Sequence, residues 1–298
     1  MSINKLLPHL DKNIFREAIQ FTQKQTGFSA RLIEKDYYCS VILSVLYSKV
    51  SEMISHVFFK GGTLLNKVHV GFYRLSEDLD FTISTSPKAK RSERSHKASE
   101  FKTFIELLHE KIACLKIEKP LVGSNNSVQY NATIKYQSVL IDMEERILFE
   151  IGLREEVYAQ NNLGDAATLV QDPYTEVPLL PLVRVKCLTL KEAFAEKIRA
   201  ALSREKAAIR DVYDLWYATE KKVIDFEDSE LIDLVIKKMS APEPLLIKLD
   251  LSRKNAFKAQ VDTQLKPVLR DVDFDMFDFD QGWKRLLQIS ELIQKEIK

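Results

Sequence analysis

The stretch that decides the fold reads Val57-Phe58-Phe59-Lys60-Gly61-Gly62-Thr63 and continues, after a short apolar run, to Ser76-Glu77-Asp78-Leu79-Asp80-Phe81. Its first three residues are apolar and β-prone, and the two glycines end them, which predicts a strand followed by a turn. Thr63 is the expected N-cap of the helix that follows. Such a turn lets a ligand approach the backbone, and free N–H groups at a helix start attract anions. The pattern is compatible with phosphate binding and also with a plain turn.

The residues after the turn alternate as they would in a strand. Leu79 and Phe81 then share one face, and Asp78 and Asp80 share the other. Two carboxylates one repeat apart repel each other unless cations or water screen them. Mg²⁺ prefers carboxylate oxygens together with substrate phosphates. A metal site and a solvated edge strand both explain this alternation.

A third carboxylate fits the same geometry. In the run from Ile147 to Leu153 the odd positions are apolar, so Glu150 lies on the opposite face. If this strand is a neighbour of residues 78–83, three carboxylates converge, enough to hold two metal ions for phosphoryl transfer. Otherwise Glu150 is an exposed glutamate on a half-buried strand.

Two amphipathic helices are predicted over residues 192–204 and 210–216. Lys197 lies on the first helix. Asp211 and Asp214 are neighbours on the second, and Arg210 is spaced to pair with Asp214. The alternative to a functional role is that these charged residues lie on solvent-exposed helix faces and form local ion pairs.

Together these motifs resemble the AbiEii family, nucleotidyltransferase toxins of bacterial abortive-infection and type IV toxin–antitoxin systems. The resemblance covers residues 30–220 in the family's order. It is carried by Glu34-Lys35-Asp36-Tyr37-Tyr38, Lys60-Gly61-Gly62-Thr63, Arg74-Leu75-Ser76-Glu77-Asp78-Leu79-Asp80-Phe81, Glu150, Ala195-Glu196-Lys197-Ile198-Arg199-Ala200 and Arg210-Asp211-Val212-Tyr213-Asp214-Leu215.

The resemblance implies an α+β fold: a DNA-polymerase-β-like nucleotidyltransferase core with a mixed sheet, flanked by N-terminal helices and a C-terminal helical lobe. It implies that Asp78, Asp80, Lys197 and Asp211 are catalytic, with Asp78, Asp80 and Glu150 as metal ligands. The nucleotide-binding residues that it implies are Lys60, Gly61, Gly62, Thr63, Ser76 and Arg210.

The implied reaction transfers a nucleotide from an NTP, with two Mg²⁺ ions, to an RNA, foremost the acceptor end of a tRNA, and so blocks translation. The implied partner is a winged-helix antitoxin encoded nearby, which in type IV systems need not bind the toxin. Two alternatives stay open: transfer to a protein or small molecule, and a non-catalytic nucleotide-binding module.

Composition agrees with a cytoplasmic enzyme. The chain has 298 residues, of which 45% are hydrophobic and 29% charged. No run approaches the roughly 18 apolar residues of a membrane span, and the first residues lack the apolar region of a secretion signal. Three scattered cysteines predict reduced thiols, as in cytosol.

The net charge of +1 gives no global argument for nucleic acid. The basic residues from Lys88 to Lys97, however, crowd a loop and helix start after the aspartate strand. They predict either a patch for an RNA backbone or a solvated loop.

The predicted organisation has two lobes. Residues 1–181 form the nucleotidyltransferase lobe with N-terminal helices, and residues 182–298 form a helical lobe that contributes to the active site. Residues 97–118 are predicted as one amphipathic helix, residues 160–181 as the crossover between lobes, and residues from 188 onward as helical.

Overall fold

The computed structural model describes residue 9 and residues 11–48, 56–239 and 248–297. The chain divides between Cys187 and Leu188 into two compact units. No helix of the described residues combines the length and the apolar character that crossing a bilayer requires.

The first unit is built on a five-stranded mixed sheet with the strand order β1-β2-β5-β4-β3. Strands β2 and β5 are parallel, and the other neighbours are antiparallel. The remaining strands, β6 and β7, form a two-stranded antiparallel sheet. The strands are β1 (Val57–Lys60), β2 (Asp78–Ile83), β3 (Leu115–Ser124), β4 (Gln129–Gln137), β5 (Glu144–Gly152), β6 (Leu163–Ala166) and β7 (Val183–Lys186).

Helices flank this sheet, as the predicted α+β class requires. Two long helices precede it, and a π-helical turn at Leu65–His69 extends the short helix after β1. The helices of the first unit are α1 (Lys12–Thr26), α2 (Ala30–Leu46), α3 (Gly61–Leu64), α4 (Arg91–Lys97), α5 (Ser99–Glu106) and α6 (Leu108–Lys111).

The single helix predicted over residues 97–118 is wrong. Phe101 and Leu108 are buried as the apolar spacing predicts, but the chain forms α5 and α6 and then enters β3 at Leu115. Strand β3 pairs with β4 further along the chain, and that pairing overrides the helical periodicity of residues 112–118.

Aromatic side chains form the core beneath the central strands. Phe81 of β2 and Phe149 of β5 stack with ring centroids 4.8 Å apart. Phe101 of α5 packs against both rings, with centroids 5.7 Å and 5.3 Å away. Such pairs add about 0.5–1.5 kcal/mol each beyond the burial of their area. They fix the two strands that carry the predicted carboxylates.

A buried ion pair ties α2 to the π-helical turn. The side chain of Lys67 is fully buried, and its Nζ lies 2.7 Å from Asp36 Oδ1. Lys67 also donates to Ser40 Oγ at 2.7 Å, and Asp36 Oδ2 accepts from the backbone N–H of Leu169 at 3.0 Å. Because the pair is buried and hydrogen-bonded on both sides, removing one partner would leave an uncompensated charge in the core.

The second unit is helical over its described residues, as the sequence predicts. Its first helix is capped by Thr189, whose Oγ1 accepts from the N–H of Glu192 at 3.1 Å. Lys238 Nζ pairs with Glu192 Oε1 at 3.0 Å, and both side chains are buried. The α-helices are α7 (Leu190–Ser203), α8 (Ile209–Glu220), α9 (Ser229–Met239), α10 (Leu251–Lys258), α11 (Asp271–Met276) and α12 (Phe279–Ile297).

We predict that Lys67→Met lowers the free energy of unfolding by about 3–5 kcal/mol, because it leaves Asp36 buried without its cation. Urea denaturation measures this loss. The matched control is Lys116→Met, since Lys116 is 73% exposed in its pair with Glu144. That change should cost less than about 1 kcal/mol. Equal losses in the two variants would contradict the prediction.

Candidate active site

The parallel pairing of β2 and β5 gathers three carboxylates on one face of the sheet. The register sets Asp80 beside Glu150 and Asp78 beside Leu148. Side chains alternate along each strand, so Asp78, Asp80 and Glu150 lie on the same face, while Phe81 packs into the core on the other. The adjacency that the sequence argument required is present.

The polar row continues across four strands. On β1, Lys60 is paired with Asp80, and on β4, Asn131 is paired with Glu150. Directly paired residues share a face, so cation, carboxylates and amide succeed one another along this row. Lys60 is buried, and its Nζ lies 4.0 Å from Glu155 Oε1. Lys60 therefore forms an ion pair with Glu155 in addition to being paired with Asp80 across the strands.

Two neighbours hold the carboxylate of Glu150. Gln129 Nε2 donates to Glu150 Oε2 at 2.8 Å, and Arg154 Nη2 lies 3.6 Å from Oε1. The Glu150 side chain remains 32% exposed. The amide and the guanidinium offset part of the repulsion that a carboxylate beside Asp80 experiences.

The aspartates offer a suitable donor set for a divalent cation. Among the described residues, no three His, Cys, Asp or Glu side chains are grouped closely enough to hold a metal ion by themselves. Mg²⁺ does not require such a cage, because it is commonly bound through one or two carboxylates, substrate phosphates and water. Asp78 and Asp80, one repeat apart on a half-buried face, match that donor set.

The glycine turn lies directly against Asp80. Gly61 has φ +79°, a left-handed conformation that favours glycine. A β-carbon on Gly61 would collide with the Asp80 carboxylate and come within 2.9 Å of its β-carbon. A β-carbon on Gly62 would lie 2.6 Å from Arg74 Nη2 and 3.1 Å from Ser76 Oγ. Close approach and a left-handed backbone therefore require a glycine at Gly61, whereas a side chain on Gly62 would displace the end of Arg74. Ser76 borders the turn.

Thr63 is not the N-cap that the sequence predicts. Helix α3 begins at Gly61, so Lys60 occupies the N-cap position. The left-handed Gly61 turns the chain straight from β1 into the helix, three residues earlier than predicted. The Thr63 hydroxyl instead donates to the carbonyl oxygen of Asp78 at 2.5 Å. It therefore connects the turn to the first residue of β2.

An ion-pair network holds the starts of β2 and β5. Lys35 of α2 is buried, and its Nζ lies 2.8 Å from Oε2 of Glu77, the residue before β2. Arg31 donates to both oxygens of Glu145 in β5, at 2.7 Å and 3.0 Å. This hydrogen bonding lowers the pKa of the Glu145 carboxyl. Helix α2 thereby positions both strands of the carboxylate pair.

The second unit carries the predicted residues Lys197, Arg210 and Asp211. Lys197 Nζ on α7 lies 2.9 Å from Asp211 Oδ1 and 2.9 Å from Asp214 Oδ2, both on α8. Arg204 Nη1 approaches the second oxygen of Asp211 at 3.5 Å. The two aspartates are buried, and the Lys197 side chain is 14% exposed. Arg210 Nε donates to the carbonyl oxygen of Gln264 at 3.3 Å.

Three residues at these positions are outside the set of predicted site residues. Asp214 holds Lys197 together with Asp211, Gln129 holds Glu150, and Arg74 is buried against Gly62. The spacing predicts that Asp214 and Asp211 are neighbours on one helix face, but it does not predict that Asp214 holds Lys197. Gln129 carries no local signal, because its partner is brought close only by the pairing of β4 with β5.

Known proteins are similar to this chain in sequence pattern and in fold. Residues 44–288 match the family model described as nucleotidyl transferase AbiEii toxin, type IV TA system. Comparison with curated protein sequences gave no match.

Two solved structures are similar over almost their whole length. MenT4, a nucleotidyltransferase toxin from Mycobacterium tuberculosis, is 16% identical with a TM-score of 0.51, over 94% of this chain and 98% of that one. JHP933 from Helicobacter pylori is 14% identical with a TM-score of 0.50, over 90% and 94%. The predicted fold class, an α+β nucleotidyltransferase fold with a mixed sheet, is confirmed.

We predict that Gly61→Ala abolishes the activity of this site, because the added methyl displaces the Asp80 carboxylate. The matched control is Gly71→Ala, since Gly71 has φ +87° but no atom within 4 Å of a β-carbon. Both changes should cost about 1–3 kcal/mol of stability through backbone strain. Loss of activity in Gly61→Ala alone would assign the effect to Asp80, and equal activity in both variants would contradict it.

Proposed function

The chain belongs to the AbiEii family of type IV toxin nucleotidyltransferases, and we propose that it transfers a nucleotide from an NTP to RNA, with the acceptor end of tRNA as target. Membership of the family makes it an enzyme that uses an NTP. Its cognate antitoxin need not bind it, as is usual in type IV systems. If tRNA is the target, the protein acts in the cytoplasm and is toxic because it blocks translation.

One observation carries the proposal: the carboxylate face of β2 and β5 is bordered by a glycine turn without β-carbons. Asp78 and Asp80 would hold Mg²⁺, with Glu150 as the third carboxylate. The bound metal would supply charge neutralisation for the triphosphate and the leaving pyrophosphate. The missing β-carbons of Gly61 and Gly62 make room for Asp80 and Arg74. The phosphates would bind at the backbone N–H groups of this turn, with Lys60 and Ser76 beside them.

The reaction is a phosphoryl-group displacement. The acceptor hydroxyl oxygen forms a bond to the α-phosphorus, the bond between the α- and β-phosphates breaks, and pyrophosphate leaves with that electron pair. The hydroxyl proton is released to water. Catalysis of such a transfer depends mainly on positioning and on electrostatic stabilisation of the transition state. The fixed strand pair and the anchored Thr63 supply the positioning.

Lys197 is proposed as a cation that neutralises the triphosphate, a role that a compact ammonium suits. Its two carboxylate partners support the interpretation that Asp211 orients Lys197, and they add Asp214 as a second positioning residue. An ammonium held between two carboxylates has little rotational freedom, so its place is set before the nucleotide arrives.

Labelling with single nucleotides tests the proposal. Purified protein is incubated with total tRNA, Mg²⁺ and one α-³²P-labelled NTP at a time, and the products are resolved on a denaturing gel. We expect label on tRNA with one NTP and none in the presence of EDTA. Asp80→Ala should lower the rate by at least about 10²-fold, as expected when one electrostatic stabiliser of a transition state is lost.

The outcomes separate the alternatives. Label on a protein band or on a small molecule would show that the chain is a nucleotidyltransferase whose acceptor is not RNA. NTP binding without pyrophosphate release would support a non-catalytic module. Full transfer by Asp80→Ala would rule out the mechanism, and Lys119→Ala, which alters an exposed lysine of β3, should retain full activity.

Asp214→Asn tests the positioning of Lys197. We expect the KM for NTP to rise about tenfold, as for loss of one hydrogen bond to a charged group, with kcat less affected, since Asp211 still holds the ammonium. Steady-state kinetics measures this change, and thermal unfolding verifies that the variant is folded. Unchanged kinetics in a folded variant would show that Asp214 has a purely structural role.

A further inference from the structure

A cavity of about 400 Å³ lies in the first unit, away from the carboxylate face. It opens at the end of β1 and β2 where Val57 pairs with Ile83, whereas Lys60 pairs with Asp80 at the other end. At about 3.3 Å per residue, Ile83 is about 10 Å along the strand from Asp80. The cavity is therefore separate from the carboxylates proposed to hold the metal ions.

The lining of this cavity is basic. Lys97, Lys186, His56 and His96 contribute to it, and among its lining residues only Glu100 is a carboxylate. The volume lies within the range of about 300–1,000 Å³ that is typical of small-molecule sites. Two ammonium groups on one concave surface attract an anion more strongly than the same charges on a convex one.

The two lysines are held in place by contacts with their surroundings. Lys97 Nζ donates to the carbonyl oxygen of Ser84 at 3.1 Å and lies 3.4 Å from Glu93 Oε1. An ammonium has three N–H donors, and these contacts use two. Lys186 Nζ lies 4.9 Å from the centroid of the buried Phe58 ring. Fixed cations lose less entropy on binding an anion than mobile ones do.

Neutral donors complete the lining. Ser84 Oγ accepts from the backbone N–H of Val157 at 3.0 Å, so its hydroxyl proton can be donated elsewhere. Gln160 adds an amide, and His56 and His96 add ring nitrogens. The lining offers two ammonium groups, a hydroxyl and an imidazole as hydrogen-bond donors. A phosphate group has more acceptor oxygens than a carboxylate group, so a ligand with a phosphate fits these donors better than one with a carboxylate.

We propose that this cavity binds the phosphate group of a ligand about the size of one nucleotide, either free or as one unit of an RNA strand. The site is separate from the carboxylate face, so binding there does not depend on transfer activity. Helix α4 supplies His96 and Lys97, and the exposed Lys90 and Arg91 stand at its start. The basic segment from Lys88 to Lys97 would then contribute to binding of the phosphate group.

The test uses the full chain in EDTA. Inorganic phosphate, adenosine monophosphate and a short single-stranded oligoribonucleotide are titrated by calorimetry, and protection of Lys97 and Lys186 from amine acetylation is read by mass spectrometry. We expect Lys186→Ala and His96→Ala each to weaken binding about tenfold, as for loss of one hydrogen bond to a charged group. Lys119→Ala is the matched control, and Asp80→Ala should still bind.

Each outcome decides the proposal. Binding of phosphate or the monophosphate, weakened in both cavity variants, supports a free ligand. Binding of the oligoribonucleotide alone, weakened in the same way, supports an RNA strand. The proposal is overturned if no probe binds, if Lys119 is protected as strongly as Lys186, or if both cavity variants bind as well as the unmodified chain.

Discussion

The side-by-side placement of Asp80 and Glu150 on the parallel strands β2 and β5 is the constraint on which the rest of the first unit depends. Two carboxylates on adjacent strands repel each other, so their placement has to be maintained by other interactions. The stacked rings of Phe81 and Phe149 hold the strands together from the opposite face. On the polar face, Gln129 and Arg154 contact Glu150, while Lys60 is paired with Asp80. The charges are stabilised in place without being neutralised entirely, which suits the cation site proposed here.

The same strands are also fixed at their ends. The N-terminal helix α2 presents buried Lys35 to Glu77, and the Thr63 hydroxyl holds the first carbonyl of β2. The close contact of Gly61 with Asp80 then leaves no room for a side chain in the turn. Catalytic groups have to be held within fractions of an ångström, and rigid strands with polar anchors achieve that better than loops. The charged motif of α2, which has no obvious catalytic chemistry, is explained as this support.

The fold is shared with proteins of low sequence identity, which is consistent with a packed frame that carries a few polar site residues. MenT4 shares 16% of its residues with this chain and JHP933 shares 14%, yet both match over nearly the whole length. Core positions tolerate exchange among hydrophobic residues of similar volume. The functional chemistry depends on a small set of polar positions grafted on that frame. In the second unit, the pairing of Lys197 with Asp211 and Asp214 is a similar local arrangement, buried and built from two adjacent helices.

The sequence by itself determined what depends on local geometry. Alternation along a strand follows from the covalent backbone, so the period of the apolar residues alone assigns Asp78, Asp80 and Glu150 to their faces. Helical spacing likewise located Lys197 and Asp211. The tertiary structure alone decided that β2 and β5 are neighbours, that residues 115–118 belong to β3, that Thr63 donates to Asp78 and that Gln129 holds Glu150. These depend on pairing between distant segments, whose free energy comes from contacts that no local pattern contains.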